Sequence, residues 1–501
     1  MVAHIHTVAF KGIDVNPIIV EAHCLPGIPK HNIVGLPDKA VNESKERIRA
    51  CFHALGIELP PKAMTVNLAP ADVQKEGCHY DLPIALGLMA ECGLIPRDVI
   101  EEYVIMGELR LDGNISPVSG VLPTALYARS IGKGIICPKD NANEAGWVPD
   151  LQILASSNIL EIIQHFKGRS VLPTILPQTF GTEAFQQTDC DLKDVKGQGA
   201  AKRALEIAAA GGHHMLMIGP PGSGKSMMAK RMTSILPPLT AEEALYTTMI
   251  YSIAGMLDET GLVTKRPFRE PHHSASTPAL VGGGRKVKPG EISLAHNGVL
   301  FLDELPEFAR VVIDSLRQPI ESGDITVSRA ESHVTYPAQF QLIAAMNPCR
   351  CGYFGNVEKQ CYKAPNCCFD YQSKISGPIL DRFDLIVHVN SVALSDLHKE
   401  ETEGSAAIRK RVINARSKQA TRFGDGFKKS KINANLEGEN LRTQIDLAVG
   451  VEDFLQEAAQ QLDISARRYT RILRVARTIA DLNDHVQVEE GDVLEALSYR
   501  A

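Results

Sequence analysis

No apolar run in this 501-residue chain reaches the roughly 20 residues that a membrane-spanning helix requires. The N-terminus, Met1-Val2-Ala3-His4-Ile5-His6, lacks the basic stretch and apolar core of a secretory signal, so the cytoplasm is the expected compartment and no membrane partner is expected. Positive charge is not in excess either. With 53 Lys and Arg against 59 Asp and Glu, the net charge is −6, so any nucleic acid must be met by a local basic patch rather than by the whole surface. No internal repeat or low-complexity tract interrupts the chain. What remains is an ordinary globular composition, 44% hydrophobic and 22% charged, long enough for about three domains. Eleven cysteines in a cytoplasmic chain argue against a disulfide framework, and five of them crowd between Cys349 and Cys368.

The chain is organised around Gly219-Pro220-Pro221-Gly222-Ser223-Gly224-Lys225-Ser226, which fits the phosphate-loop pattern G-x-x-x-x-G-K-[ST]. The apolar run Met215–Ile218 precedes it as a buried strand would, and good helix formers follow from Met227 to Met232. Glycines let backbone N–H groups wrap a phosphate, and the helix N-terminus adds partial positive charge. Lys225 is expected to reach the β- and γ-phosphates of ATP, and Ser226 to hold Mg²⁺. About 80 residues on, Gly298-Val299-Leu300-Phe301-Leu302-Asp303-Glu304 is an apolar strand ending in two carboxylates, the Walker B pattern. Asp303 is expected on Mg²⁺ and Glu304 as the general base for the attacking water. A third strand, Phe340–Met346, ends in Asn347 before Pro348. Residues 1–170 read as an α/β domain with strands at Met64–Leu68, Tyr103–Met106 and Gly134–Cys137 and helices at Asp38–Leu55, Leu82–Gly93 and Leu122–Ser130. Residues 171–190, with Pro173, Pro177 and Gly181 among polar residues, read as a linker. Residues 191–395 then read as an ATPase core, and 396–501 as a helical C-terminal domain.

Several stretches resemble the ComM (Mg-chelatase-like) family: Gly35-Leu36-Pro37-Asp38, Val66-Asn67-Leu68-Ala69-Pro70-Ala71-Asp72, Lys75-Glu76-Gly77 and Gly107-Glu108-Leu109 at the N-terminus, then the nucleotide motifs in order. The resemblance implies three parts: an N-terminal domain with the fold of the Lon protease domain (ribosomal S5 domain 2-like), an AAA+ α/β core with a parallel sheet, and a helical lid. Lon uses a Ser–Lys dyad. The matching segments here, Gly77-Cys78-His79-Tyr80-Asp81 and Gly120-Val121-Leu122-Pro123-Thr124, carry neither serine nor lysine, so the domain is expected to be a proteolytically inactive relic. A Cys78–His79 thiol protease is disfavoured because adjacent residues point apart.

By the same resemblance Asn347 takes the sensor 1 position and Arg382, in Ser376-Gly377-Pro378-Ile379-Leu380-Asp381-Arg382, is an arginine finger acting on a neighbouring subunit. Arg467, in Ser465-Ala466-Arg467, is sensor 2, with Arg468 and Arg471 as alternatives. The activity implied is that of a hexameric ATPase and helicase that moves on single-stranded and branched DNA, driving branch migration in natural transformation. A magnesium chelatase motor subunit is the second reading and a Lon-like protease the third. Two insertions, one holding Arg285, Lys286 and Lys288 and the other an alternating hairpin over 324–336, are placed toward the pore by the family; the three cations are the candidate DNA contacts. Cys349, Cys351, Cys361 and Cys368, with Cys367 as alternative, have the makings of a four-thiolate zinc site, against free thiols in a loop. The run from Arg409 to Lys431, nine cations against Asp425, reads as a solvated helix face or a nucleic-acid patch.

Overall fold

The computed structural model describes residues 2–500 except 29, 59, 179–189, 285–286, 329–332, 355–360, 362, 392–402 and 425–430. It divides into two compact units, residues 1–182 with 240–264, and residues 183–239 with 265–501. Among the described residues no helix is long and apolar enough to cross a membrane.

The first unit is built on a seven-stranded mixed sheet. Its two longest strands, Ala3–Lys11 and Asp14–Leu25, form an antiparallel hairpin in which Ile5, Val8, Ile18, Val20 and Ala22 are buried. Neither carries a long apolar run, and His4, His6, Glu21 and His23 interrupt the pattern, so the pair is legible only once the sheet is assembled. The expected strands occur as Ala63–Ala69, Tyr103–Ile105 and Gly134–Pro138, and the expected helices as Lys39–Ala54, Asp81–Glu91 and Val121–Ser130. Helix Asp81–Glu91 is apolar around nearly its whole circumference and correspondingly buried. Its one buried charge, Asp81, is matched: Arg47 donates twice at 2.8 Å and Ser44 Oγ once at 2.6 Å.

Residues 240–264 interrupt the ATPase stretch in sequence but group with this first unit. Helix Ala241–Ala254 starts in a capping box between Thr240 and Glu243, and its Leu245 and Met249 pack on the cluster of Val121, Leu122 and Ala125. Ser252 Oγ donates to the carboxylate of Glu144 and accepts from Gly120 N–H at 3.0 Å. Burial pushes the Glu144 carboxyl up, against the hydrogen bonds it receives from Ser252, Leu122 and Asn141.

The second unit holds a five-stranded parallel sheet, in spatial order Phe268–Arg269, Val299–Leu302, Gln341–Met346, Met215–Ile218, Leu385–His388. The central three strands are apolar on both faces, as a parallel sheet covered by helices requires. The C-terminal helices share its core rather than forming one of their own. Ile472, Val475, Ala476 and Ile479 of helix Ala466–Leu482, and Val412 and Ala415 of helix Ser405–Phe423, join Met215, Met217, Phe301 and Ile343 in a single cluster. The basic run is absorbed into this packing. Arg409 donates to Ser234 O, Arg411 pairs with Glu206 and Glu403, Arg416 donates to Ala209 O, Lys418 to Asp481 O, and Arg422 pairs with Asp481. These five of the run's nine cations are engaged by acids and backbone carbonyls packed beside the helix, while Lys410 is exposed and Lys428 and Lys429 lie outside the described residues.

The insertion hairpin is present as Asp324–Ser328 paired with His333–Pro337, alternating buried and exposed. It is locked to the first insertion. Tyr336, buried, donates to Val287 O at 2.6 Å, and Val327 lies against the Gly282–Gly283 strand, which pairs with Lys288–Pro289.

Candidate active site

The parallel register brings three strand ends to the same edge of the sheet, Gly219 level with Asn347 and Asp303 two residues short of it. Ile218 pairs with Met346 and Leu302 with Ala344, so Gly219, Asp303 and Asn347 all emerge at the carboxyl end of the sheet, where the strand order switches and open α/β sheets bind ligands. The chain runs from Ile218 through the glycine loop into helix Lys225–Lys230. Two glycines are dictated by geometry. A Cβ on Gly219 would come within 2.1 Å of Val389 O, and Gly224 caps the helix at φ 89°, in the left-handed region.

Lys225 is buried. Its Nζ donates to Gly219 O at 2.8 Å, Pro220 O at 2.9 Å and Asn347 Oδ1 at 3.3 Å. Burial holds its pKa below the ordinary lysine value, while Asp303 and Glu304 pull the other way. Ser226 Oγ donates to Asp303 Oδ2 at 2.5 Å. A hydroxyl and a carboxylate in contact at a helix N-terminus are a hard-oxygen donor set, so the residues fit magnesium and a triphosphate. Glu304 follows in a left-handed conformation, φ 52°, uncommon for a residue with a side chain and of the kind that clusters at functional sites. Its N–H donates to Asp303 Oδ1 at 2.9 Å.

Arg382 and Arg467 come together elsewhere. Both pair with the carboxylate of Glu321, Arg467 at 2.8 Å, and Arg382 also donates to Pro378 O at 2.5 Å. Among the described residues, neither forms a hydrogen bond or ion pair with the phosphate loop. Burial lowers the pKa of the Arg382 guanidinium and Glu321 opposes the shift. Arg468 lies 3.7 Å from Asp381, and Arg471 pairs with buried Asp384 at 3.2 Å. Arg471 is thus committed to the core and is set apart from the other two candidates.

Two residues of the site escaped sequence reading. Glu321, on helix Arg317–Ser322, has no local signature, and only through-space contact identifies it. His273 stands 3.7 Å from Glu304, with its ring edge-on to Phe308. Nothing in the linear sequence marks the approach of His273 to Glu304, 31 residues away.

Of the DNA candidates, Lys288 is exposed on its short strand, while Arg285 and Lys286 lie outside the described residues. In the cysteine group the sulfurs of Cys349, Cys351, Cys361 and Cys367 all lie within 4.8 Å of one another. The group that could hold a metal thus includes Cys367, the alternative fourth residue, in place of Cys368. Adjacent cysteines on helix Asn366–Gln372 face different ways, and the Cys368 thiol instead accepts from Gln372 Nε2 at 3.2 Å. In the first unit Cys78 Sγ bonds Glu108 at 2.6 Å and His79 Nε2 sits 2.9 Å from Val8 O, so the two are engaged apart and form no dyad. Burial, then Glu108, pushes the Cys78 thiol up to about 12, the opposite of what a nucleophile needs.

Three family models match the chain: "Subunit ChlI of Mg-chelatase" over residues 20–141, "Magnesium chelatase, subunit ChlI" over 191–397, and "Magnesium chelatase, subunit ChlI C-terminal" over 402–500. The chain is 42% identical over 501 residues to the uncharacterized protein YifB of Salmonella typhimurium, covering 100% of this chain and 97% of that protein. It is 42% identical over 503 residues to competence protein ComM of Haemophilus influenzae, again 100% and 97%. A more distant likeness, 27% over 209 residues, spans 42% of this chain and 23% of an uncharacterized MCM-type protein of Methanocaldococcus jannaschii.

Proposed function

Because the chain belongs to the ComM/YifB family of magnesium-chelatase-type AAA+ ATPases, we propose that it is a hexameric motor that couples ATP hydrolysis to movement along DNA. Its task would be helicase-like branch migration as incoming strands are integrated during natural transformation. The observation that carries the ATPase part is the pairing of Lys225 with Asn347 and of Ser226 with Asp303 at the carboxyl ends of three adjacent parallel strands.

Each residue has a role in that reading. Lys225 and the loop N–H groups hold the phosphates, and Ser226 and Asp303 hold magnesium. The metal, when bound, neutralises charge on the phosphate oxygens. Glu304 takes a proton from the attacking water, and Asn347 orients that water. Arg382 acts from the adjacent protomer, with Arg467 beside it. Their shared carboxylate, Glu321, supports the idea that the two cations serve one phosphate, since one acid holds both on the same patch. Lys288, Arg285 and Lys286 would meet the DNA backbone.

The DNA part rests on the relative named a competence protein and on the MCM-type likeness. The ChlI descriptions of the family models favour a second reading, a chelatase motor that drives a metal-inserting partner. ATP turnover measured without DNA and with single-stranded, duplex or branched DNA separates the two. A DNA motor gives several-fold stimulation that falls steeply as salt rises from 50 to 200 mM, because phosphate contacts release counterions. Turnover indifferent to every DNA at low salt sinks the DNA reading and leaves the chelatase one.

A further inference from the structure

We propose that Cys349, Cys351, Cys361 and Cys367 hold a structural zinc ion that clamps the end of the sensor strand against the phosphate loop. The ligand geometry supports the first half. Four thiolates on a tetrahedral zinc at 2.3 Å stand about 3.8 Å apart. Here the four sulfurs lie within 4.8 Å of one another, and Cys349 and Cys351 are 3.2 Å apart, so the set brackets that spacing. They converge from three places in the chain: the turn after Pro348, the loop at Cys361, and helix Asn366–Gln372. Packing alone does not account for the convergence. Among the described residues, the apolar cluster that Cys349, Cys361 and Cys367 form with Cys368 consists of cysteines, with no aliphatic or aromatic side chain to give it a hydrophobic core. Cys349 and Cys361 are buried and Cys351 faces solvent, which gives the metal an entry path.

The second half rests on what the cluster touches, and on the ATPase reading above. Cys349 is two residues beyond Asn347. Gln372 Nε2 donates to the intervening Pro348 O at 3.1 Å as well as to Cys368 Sγ, so the helix that carries Cys367 also holds the strand exit. Gly352, in the turn between the first two cysteines and the rest, lies so close to the phosphate loop that a Cβ on it would come within 2.4 Å of Pro221 Cδ. The cysteine loop therefore bears on both Asn347 and Pro221. Tying its three segments to one ion removes freedom from both sides of the γ-phosphate site, which is the kind of positioning that ATP chemistry depends on.

The test uses the full chain purified under reductant. Elemental analysis is expected to give zinc in a one-to-one ratio with protein, and a mercurial reagent to release it as thiols are titrated in the presence of a zinc dye. Cys351→Ser, which alters the exposed ligand and so spares the fold, is expected to lower zinc retention at least about tenfold. Cys368→Ser is expected to keep its zinc. Cobalt substitution should give the intense visible absorption of a tetrahedral thiolate site in the parent chain and lose it in Cys351→Ser. Protein free of zinc, iron with labile sulfide in its place, or full retention in Cys351→Ser overturns the site. The coupling is read separately. Cys351→Ser, or chelator-stripped protein, is expected to turn over ATP several-fold more slowly, and unchanged turnover in zinc-free protein overturns the clamp. Lys225→Ala should keep its zinc while losing turnover. If zinc is bound but the parent chain hydrolyses no ATP, it is the ATPase reading that falls.

Discussion

At the scale of single residues, two side chains at the nucleotide site do different work and predict different defects. Lys225 is buried, and its ammonium is satisfied by loop carbonyls and Asn347, a ring of oxygens that a phosphate can join. Lys225→Ala removes the charge while leaving those acceptors behind, so nucleotide binding should collapse. Glu304 is different. Its backbone is held in a left-handed turn and its carboxylate lies 3.7 Å from His273. Glu304→Gln keeps the shape and removes the base, so ATP should still bind while hydrolysis falls by about 10²–10⁴-fold, as loss of a general base does. Filter binding of labelled ATP alongside phosphate release checks both. A Glu304→Gln protein that no longer binds ATP would show that the residue holds nucleotide rather than activating water.

At the scale of elements, the strand that feeds the phosphate loop is seated by histidine and carboxylate contacts at its other end. His214 precedes it. Its Nδ1 accepts from Leu342 N–H at 3.0 Å, and its backbone N–H donates to Asp384 Oδ2 at 3.3 Å. Burial lowers the imidazole to about 4, with Arg471 and His213 adding to the shift and Asp384 opposing it. The sign follows from linkage. The unfolded chain takes up a proton near pH 6.5 that the folded one refuses until about pH 4. Between those values the unfolded state binds more protons, so stability is full above pH 6.5 and falls as pH drops toward 4. The melting temperature should decline over that window. His214→Gln, which offers a neutral acceptor to Leu342, should show a shallower decline. Equal slopes for the two proteins would remove His214 as the cause.

At the scale of the whole molecule, the question is whether turnover needs more than one copy of the chain. Arg382 and Arg467 are engaged with Glu321 and, among the described residues, pair with nothing in their own phosphate loop. If they serve a neighbour, Arg382→Ala should bind ATP normally and hydrolyse it at least about a thousandfold more slowly, the lower end of what an arginine finger contributes. Mixed with parent protein, it should depress turnover more than in proportion to its share, because each altered copy disables a seam. Strictly proportional loss would mean that each chain works alone.

The motifs were legible in the linear chain because they are local. A glycine loop between a strand and a helix, an apolar strand ending in Asp303-Glu304, and Asn347 at a strand end each need only their neighbours to be recognised. Helix Ala466–Leu482 and hairpin 324–337 were visible for the same reason, since periodicity is a property of consecutive residues. Contacts across long separations were not. Glu321 meets Arg382 across 61 residues and Arg467 across 146, and nothing near it in sequence marks it. Which of two adjacent cysteines turns toward Cys349 depends on the orientation of helix Asn366–Gln372, and the fate of the basic run depends on which acids and carbonyls pack beside helix Ser405–Phe423. Residues 240–264 leave the ATPase unit because Leu245 and Met249 find their apolar partners on helix Val121–Ser130. The chemistry of the chain is written in short segments, while the assignment of partners waits on burial, which brings distant residues within reach of one another.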